Sequence, residues 1–241
     1  DLLQRREELD PELQRALGRS RLGKMIGHPL VHEIFYTPEI NALYNEQLRR
    51  KKKGLELALK EQNWGSYIFL HERPYRIQAL VDLTLRWKSE GTIVDDSDYF
   101  ELLGDVWADS ENTWQMEPIL HILFNPSGRD ISKRIVMTME HDRHILQEDS
   151  YPLWTIYRGY NRPRRKLGWS WTTSPAKAVF FAKRLVPPEA MLRVAIATCR
   201  REDIIAFMQQ RGESEVVIDP KKVVIKRVVG IDYDWSKEMR A

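Results

Sequence analysis

Three short stretches in the second half of the chain carry residue types that together could do chemistry. Residues 157–160 (Tyr-Arg-Gly-Tyr) end an apolar run with an arginine, and residues 169–174 (Trp-Ser-Trp-Thr-Thr-Ser) form a hydroxyl cluster. Residues 213–218 (Glu-Ser-Glu-Val-Val-Ile) open a further apolar run with two carboxylates. An arginine is always charged and can hold phosphate oxygens in a bidentate way. A carboxylate can stabilise the positive charge that develops on a ribose when its glycosidic bond breaks.

Each of these features alone has an ordinary structural explanation. Arg158 alone would more often be a surface ion-pair partner. Ser170 and Thr172 alone would be strand or turn residues, and the carboxylates of Glu213 and Glu215 alone would mark a solvated strand end. The order of the three stretches, their spacing and their apolar flanks favour a joint functional interpretation.

The combined pattern resembles the arginine-serine-glutamate class of mono-ADP-ribosyltransferases. In that family a first strand ends in an arginine, and a second strand carries a Ser-x-Ser/Thr element followed by a helix. A later strand begins Glu-x-Glu or Gln-x-Glu. The corresponding residues here are Arg158, Ser170 with Thr172, and Glu213 with Glu215, and the helix would include residues 178–182. The resemblance covers residues 153–233, about a third of the chain.

The resemblance implies that the protein is an enzyme with NAD as its ADP-ribose donor and that no metal takes part. Arg158 would anchor the NAD pyrophosphate. Gly159 would let the ligand approach the backbone, where the family binds the nicotinamide amide through main-chain groups.

The resemblance also assigns roles to the hydroxyl and carboxylate residues. Glu215, the second acid of the pair, would stabilise the ribose cation through the 2-hydroxyl group. Ser170 and Thr172 would orient Glu215 and shape the pocket. Glu213 would position or deprotonate the acceptor, and it would share a face with Glu215 if the strand already starts at residue 213.

The acceptor stays open between several alternatives. Glu-x-Glu members of the family usually modify arginine, which favours a protein acceptor by analogy. The basic loop at residues 162–166 favours RNA or another nucleic acid, and we expect Arg164 and Arg165 to contact the acceptor. Transfer to water would instead make an NAD glycohydrolase, and an inactive binding module is the non-enzymatic alternative. The resemblance to bacterial and phage-related toxins implies a toxin, within a toxin–antitoxin or phage-conflict system, with an inhibitory partner protein.

Composition predicts a soluble globular protein and favours the cytoplasm, and the resemblance to toxins implies the cytoplasm of a bacterial or host cell. The 241 residues are 30% charged and 42% hydrophobic. No apolar run approaches the roughly 18 residues that would span a membrane, so we expect no membrane association. Cys199, the only cysteine, excludes an internal disulfide and a thiolate-rich metal site and favours a reducing compartment.

Three further features have a functional and a structural explanation, and the structural one is favoured each time. The basic block at residues 49–53 could meet phosphates, but a solvated helix face is favoured. His141 and His144 could offer two metal ligands on one helix face, but no third ligand is evident. Tryptophans such as Trp107 and Trp114 could stack on bases, but they are more often part of a core.

Hydrophobic periodicity and turn residues predict an α+β fold in two parts. Residues 1–148 are predicted to be mostly helical, with helices near 2–18, 38–62, 74–90, 95–107, 110–114, 118–124 and 138–148. Residues 149–241 are predicted to form a β-rich catalytic core of the ADP-ribosyltransferase type. Its strands would lie near 154–157, 191–198, 216–218 and 223–231, with a helix that Ser174 caps. No Gly/Ser-rich or Pro-rich linker separates the two parts, so close packing of the helical half on the core is expected.

Overall fold

A computed structural model describes residues 6–110, 117–124, 152–162, 167–184, 186, 190–209 and 212–237 of the chain. The predicted helices at 110–114 and 138–148 fall largely or wholly outside these residues. The fold is α+β, as predicted, with helices and two antiparallel sheets. The chain divides into two compact units. The first unit comprises Asp1–Ile93 and Asp109–Thr113, and the second comprises Val94–Ala108 and Trp114–Ala241.

The first unit combines helices with a small antiparallel sheet. Its elements are α1 (Pro11–Arg15), β1 (Leu17–Ser20), β2 (Gly23–His28), β3 (Val31–Glu33), α2 (Asn41–Lys60), α3 (Trp64–Phe69) and α4 (Arg76–Glu90), with 3-10 turns at Pro38–Ile40 and Arg73–Tyr75. The strands pair in the order β1–β2–β3. The prediction of one helix over residues 2–18 is therefore wrong, because the apolar residues of this region pack as a short helix and a strand pair around buried Leu13, Ile26 and Val31.

The basic block of helix α2, residues 49–53, is partly neutralised by carboxylates of the same unit. Three of its cations form ion pairs: Arg49–Glu46 at 3.0 Å, Lys51–Glu72 at 2.6 Å, and Lys52–Glu12. The first pair lies within α2, and the other two tie α2 to the segments that carry Glu72 and Glu12. They favour the predicted structural role of the block over a phosphate-binding one.

The second unit is built around the larger antiparallel sheet. Its elements are α5 (Asp96–Asp109, whose last residue belongs to the first unit), α6 (Glu117–Phe124), β4 (Leu153–Tyr160), β5 (Ser170–Thr172), α7 (Pro175–Lys183), β6 (Arg193–Arg200), β7 (Ile204–Met208), β8 (Glu215–Ile218) and β9 (Val224–Gly230), with 3-10 turns at Arg201–Asp203, Pro220–Lys222 and Trp235–Lys237. The described strands follow the order β7–β8–β5–β4–β6–β9. The division of the chain thus differs from the predicted boundary at 148–149, because α5 and α6 belong to the unit of the larger sheet.

Strand β4 has buried side chains on both faces, although Leu153 and Thr155 near its start are exposed. Trp154, Ile156 and Tyr160 point into one apolar cluster, whereas Tyr157 packs with α7 and strand β6 on the other face. Such alternation is expected of a strand whose successive side chains leave opposite faces of the sheet.

Within the described part of the chain, no helix is both long and apolar enough to cross a membrane.

Helix α7 begins as predicted and packs very closely on β4. The Ser174 hydroxyl accepts a hydrogen bond from the main-chain N–H of Lys177 at 3.3 Å, and a proline follows the cap. A Cβ atom on Gly159 would lie 1.7 Å from the carbonyl oxygen of Ala178 and 2.6 Å from the main-chain nitrogen of Ala182. The missing side chain therefore makes room for the helix, and the approach of a ligand to the main chain at Gly159 stays a prediction.

This contact predicts that Gly159→Ala destabilises the protein. The added methyl group must displace helix backbone, so we expect the free energy of unfolding to fall by about 3 kcal/mol. Gly65→Ala is the control, because its Cβ would meet Asn63 Oδ1 at an ordinary 3.9 Å inside helix α3. We expect the control to be neutral or to gain about 0.5 kcal/mol. Urea unfolding followed by circular dichroism measures both, and a Gly159→Ala variant as stable as the wild type would contradict the packing described.

Candidate active site

The three stretches identified in the sequence lie on neighbouring strands of the larger sheet. Arg158 lies on β4, the Ser-x-Thr element forms β5, and Glu215 is the first residue of β8. Strand β5 lies between the other two, with Thr172 opposite Tyr157 on one side and opposite Glu215 on the other. Directly opposed residues have Cβ atoms roughly 5 Å apart, so strand pairing alone brings the carboxylate beside the hydroxyl element.

Two side chains donate hydrogen bonds to the carboxylate of Glu215. The indole Nε1 of Trp107 donates to Oε1 at 3.1 Å, and the Ser170 hydroxyl is also bonded to the carboxylate. Burial raises the pKa of Glu215, and the charge of Glu213 acts in the same direction. The two hydrogen bonds and the positive charge of Arg158 oppose that rise, but the pKa stays above the usual glutamate value.

Arg158 is tied to the strand that carries the hydroxyl element. Its guanidinium Nη1 donates to the main-chain carbonyl oxygen of Ser170. The residue lies within β4, opposite Ala195 of β6, rather than at the strand end that the sequence predicts, because pairing with β6 continues as far as Tyr160. A guanidinium carries five N–H donors, so a bond to one carbonyl is compatible with binding a phosphate group.

Thr172 positions main chain around the site rather than the carboxylate of Glu215. Its Oγ1 donates to the carbonyl oxygen of Glu213 at 2.7 Å and accepts from the main-chain N–H of Ser174 at 3.1 Å. One hydroxyl therefore connects the segment before β8 with the start of α7. The predicted role of Thr172 in orienting Glu215 would therefore act through the backbone.

Glu213 lies outside the strand that begins at Glu215. Between them, Ser214 has a φ of 47°, in the left-handed region. The period-two alternation of a strand does not extend across such a residue. The condition under which the two acids would share a face, a strand that already starts at residue 213, is therefore not met, although the charge of Glu213 is close enough to raise the pKa of Glu215.

Helices α5 and α6 bring aromatic rings to the site that sequence analysis did not assign to it. Trp107 meets Phe124 edge-on with ring centroids 5.2 Å apart, and Phe124 stacks on Trp169 at 4.7 Å. All three are buried, so the prediction that Trp107 is a core residue is confirmed. The hydrophobic periodicity of α5 predicts which of its faces is buried. It does not predict that the indole N–H of Trp107 donates a hydrogen bond to the carboxylate of Glu215.

Several predicted residues lie outside the described part of the chain: the acceptor-binding candidates Arg164 and Arg165, the pair His141 and His144, and Trp114. Among the described residues, no group of three or more His, Cys, Asp or Glu side chains could hold a metal ion.

The chain matches no protein-family model, no curated protein and no solved structure.

The raised pKa of Glu215 predicts how the stability of the folded protein changes with pH. In the folded state the carboxyl group keeps its proton at pH values where the unfolded chain has lost it. Stability therefore falls as the pH rises from the usual glutamate pKa through the raised one. The glutamine side chain of Glu215→Gln is neutral at every pH, so this variant should not lose stability in this way. We therefore expect its stability relative to the wild type to increase as the pH rises through this range.

Urea unfolding at stepped pH values measures the difference. Glu202→Gln is the matched control, because that carboxylate lies exposed on the surface of the same unit. We expect the control to follow the wild-type curve. Parallel pH curves for the wild type and Glu215→Gln would show that folding does not disfavour the ionised carboxylate.

Proposed function

We propose that this protein is an NAD-dependent mono-ADP-ribosyltransferase that modifies a macromolecular acceptor. The observation that carries the proposal is the placement of Arg158, Ser170 and Glu215 on three neighbouring strands, with the hydroxyl bonded to the carboxylate. These are the groups that the sequence resemblance requires side by side. Strand pairing, which the motifs alone do not specify, supports their assembly into one site.

In this proposal the site binds NAD through its pyrophosphate and its nicotinamide ribose. Arg158 anchors the pyrophosphate, since a guanidinium binds phosphate oxygens in a bidentate way. The main chain at Gly159 holds the nicotinamide amide, while the missing side chain serves the packing of α7. Ser170 orients Glu215 towards the 2-hydroxyl group of the ribose.

The chemistry is the transfer of ADP-ribose from nicotinamide to a nucleophile. The bond between the ribose C1 and the nicotinamide nitrogen breaks, and its electron pair leaves with nicotinamide. Positive charge develops on the ribose, and the ionised carboxylate of Glu215 stabilises it through the 2-hydroxyl. The acceptor then forms the new bond to C1 and gives its proton to Glu213. A desolvated carboxylate suits this role, because charges attract more strongly in a medium of low dielectric.

Protein arginine is the favoured acceptor, because the acidic pair has the Glu-x-Glu form. RNA is the alternative that the basic loop at residues 162–166 supports. Water as the acceptor would make the protein an NAD glycohydrolase. The proposal places the enzyme in the cytoplasm of a bacterial or host cell, as a toxin with an inhibitory antitoxin partner.

Incubation with labelled NAD and a cell lysate tests the function. The wild-type protein should transfer label to macromolecules, and Glu215→Gln should transfer none. Label that protease removes and hydroxylamine releases would indicate protein arginine, whereas label that ribonuclease removes would indicate RNA. Release of nicotinamide without transfer would indicate a glycohydrolase. An absence of both reactions, together with no NAD binding by calorimetry, would reject the proposal.

We expect the substitutions Glu213→Gln and Glu215→Gln to have different effects on ADP-ribose transfer and on NAD hydrolysis. Glu215→Gln should lose both, because the ribose cation is then unsupported. Glu213→Gln should lose transfer and keep part of the NAD hydrolysis, since water needs less help than a positioned acceptor. Rates of nicotinamide release and of label transfer, measured side by side, test this. Equal loss of both rates in Glu213→Gln would remove the acceptor role of that residue.

A further inference from the structure

Trp107 is the contact between helix α5 and the carboxylate of Glu215. The indole is 3% exposed, and its Nε1 lies 3.1 Å from Oε1. An indole N–H can only donate, and most buried donors in proteins have an acceptor. Here the acceptor is a carboxylate, and hydrogen bonds to ionised groups are shorter and stronger than neutral ones. The contact can therefore restrict how the carboxylate is oriented.

The position of Trp107 is itself determined by its neighbours. Its ring packs edge-on against Phe124 of α6, and Phe124 stacks on Trp169, the residue directly before Ser170. The hydroxyl of Tyr99 on α5 donates to the carbonyl oxygen of Leu123 at 3.0 Å, which ties the two helices together. The two donors to Glu215, an indole and a hydroxyl, are thus connected through a row of three aromatic rings, of which the first contact is edge-on and the second is stacked.

We propose that Trp107 is a positioning residue for Glu215. Its N–H holds one carboxylate oxygen, so that a lone pair used by neither Trp107 nor Ser170 faces the ribose 2-hydroxyl of bound NAD. A carboxylate offers about four lone-pair sites, so two protein donors leave room for the substrate. The inference rests on the proposed function, and it gives helices α5 and α6 a part in catalysis.

Packing alone is the competing explanation for Trp107, and the structure provides a matched comparison. Trp154 is also buried in the second unit, where its ring meets Phe207 edge-on at 5.6 Å. Among the described residues its Nε1 has no hydrogen-bond partner. Replacement of either tryptophan by phenylalanine removes similar bulk, but only at Trp107 does it remove a hydrogen bond to Glu215. The pair of variants therefore isolates the effect of the N–H group.

The positioning role also predicts a change in pH dependence. The bond from Trp107 lowers the pKa of Glu215 against the effect of burial, as do the Ser170 hydroxyl and the charge of Arg158, while Glu213 raises it. Catalysis needs the ionised carboxylate. Loss of the indole N–H should thus move the acidic limb of the rate profile to higher pH, whereas loss of packing alone should leave it in place.

The experiment compares the wild type, Trp107→Phe and Trp154→Phe in nicotinamide release, NAD binding by calorimetry and pH profile. For Trp107→Phe we expect kcat to fall about tenfold to a hundredfold, the effect of losing one hydrogen bond to a charged group in the transition state. We expect its Kd for NAD to change less than about threefold, because a bond that acts in the transition state contributes little to ground-state binding. Trp154→Phe should keep the wild-type kcat and pH profile.

The outcomes that overturn the inference are distinct. Equal kcat and pH profiles for the two variants would leave Trp107 a packing residue. A faster Trp107→Phe would mean that the indole obstructs the ribose site. A wild type that neither binds NAD nor releases nicotinamide would overturn the proposed function and this inference with it. If Trp107→Phe does not fold, an amino acid with benzothiophene in place of indole keeps the ring shape without the N–H, and the same expectations apply to it.

Discussion

The half-buried carboxylate of Glu215 is the group around which strands β4 and β5 and helix α5 are placed in the second unit. An ionised group removed from water is costly unless hydrogen bonds and opposite charge surround it. Here the hydroxyl of Ser170, the indole of Trp107 and the charge of Arg158 supply that compensation, and it is incomplete, since the pKa remains raised. Each compensating group comes from a different element. The ionised carboxylate is therefore compensated only where the strands and helix α5 come together.

The segment from Ser170 to Ser174 combines several structural tasks within a few residues. It pairs with strands on both sides, bonds the carboxylate through Ser170 and holds the backbone of Glu213 through Thr172. Ser174 then caps helix α7, which packs on β4 where Gly159 lacks a side chain. A change in this segment would move helix α7, the main chain of Glu213 and the hydroxyl group of Ser170 together. Because each of these contacts uses a hydroxyl group, hydroxyl residues are concentrated in this segment.

The change in sequence character near Ser150 does not mark the boundary between the compact units. Helices α5 and α6 precede it, yet they belong with the larger sheet, because their aromatic residues complete its buried surroundings. Composition reports the local preference of a segment for helix or strand. It does not report which core the apolar face of that segment enters, since Leu, Phe and Trp can serve any core.

The sequence by itself determined the elements with strong local signals and the identity of the chemical groups. Helices α2, α4 and α7 follow from periodicity, good helix formers and, for α7, the Ser-Pro cap, and the strands carrying Arg158 and Glu215 follow from short apolar runs. Only the tertiary structure decided the strand order, the start of β8 after left-handed Ser214, the close approach of α7 at Gly159 and the bond from Trp107 to Glu215. These features join residues up to 108 positions apart in the chain. Periodicity acts over a few residues, so it has no means to specify such contacts.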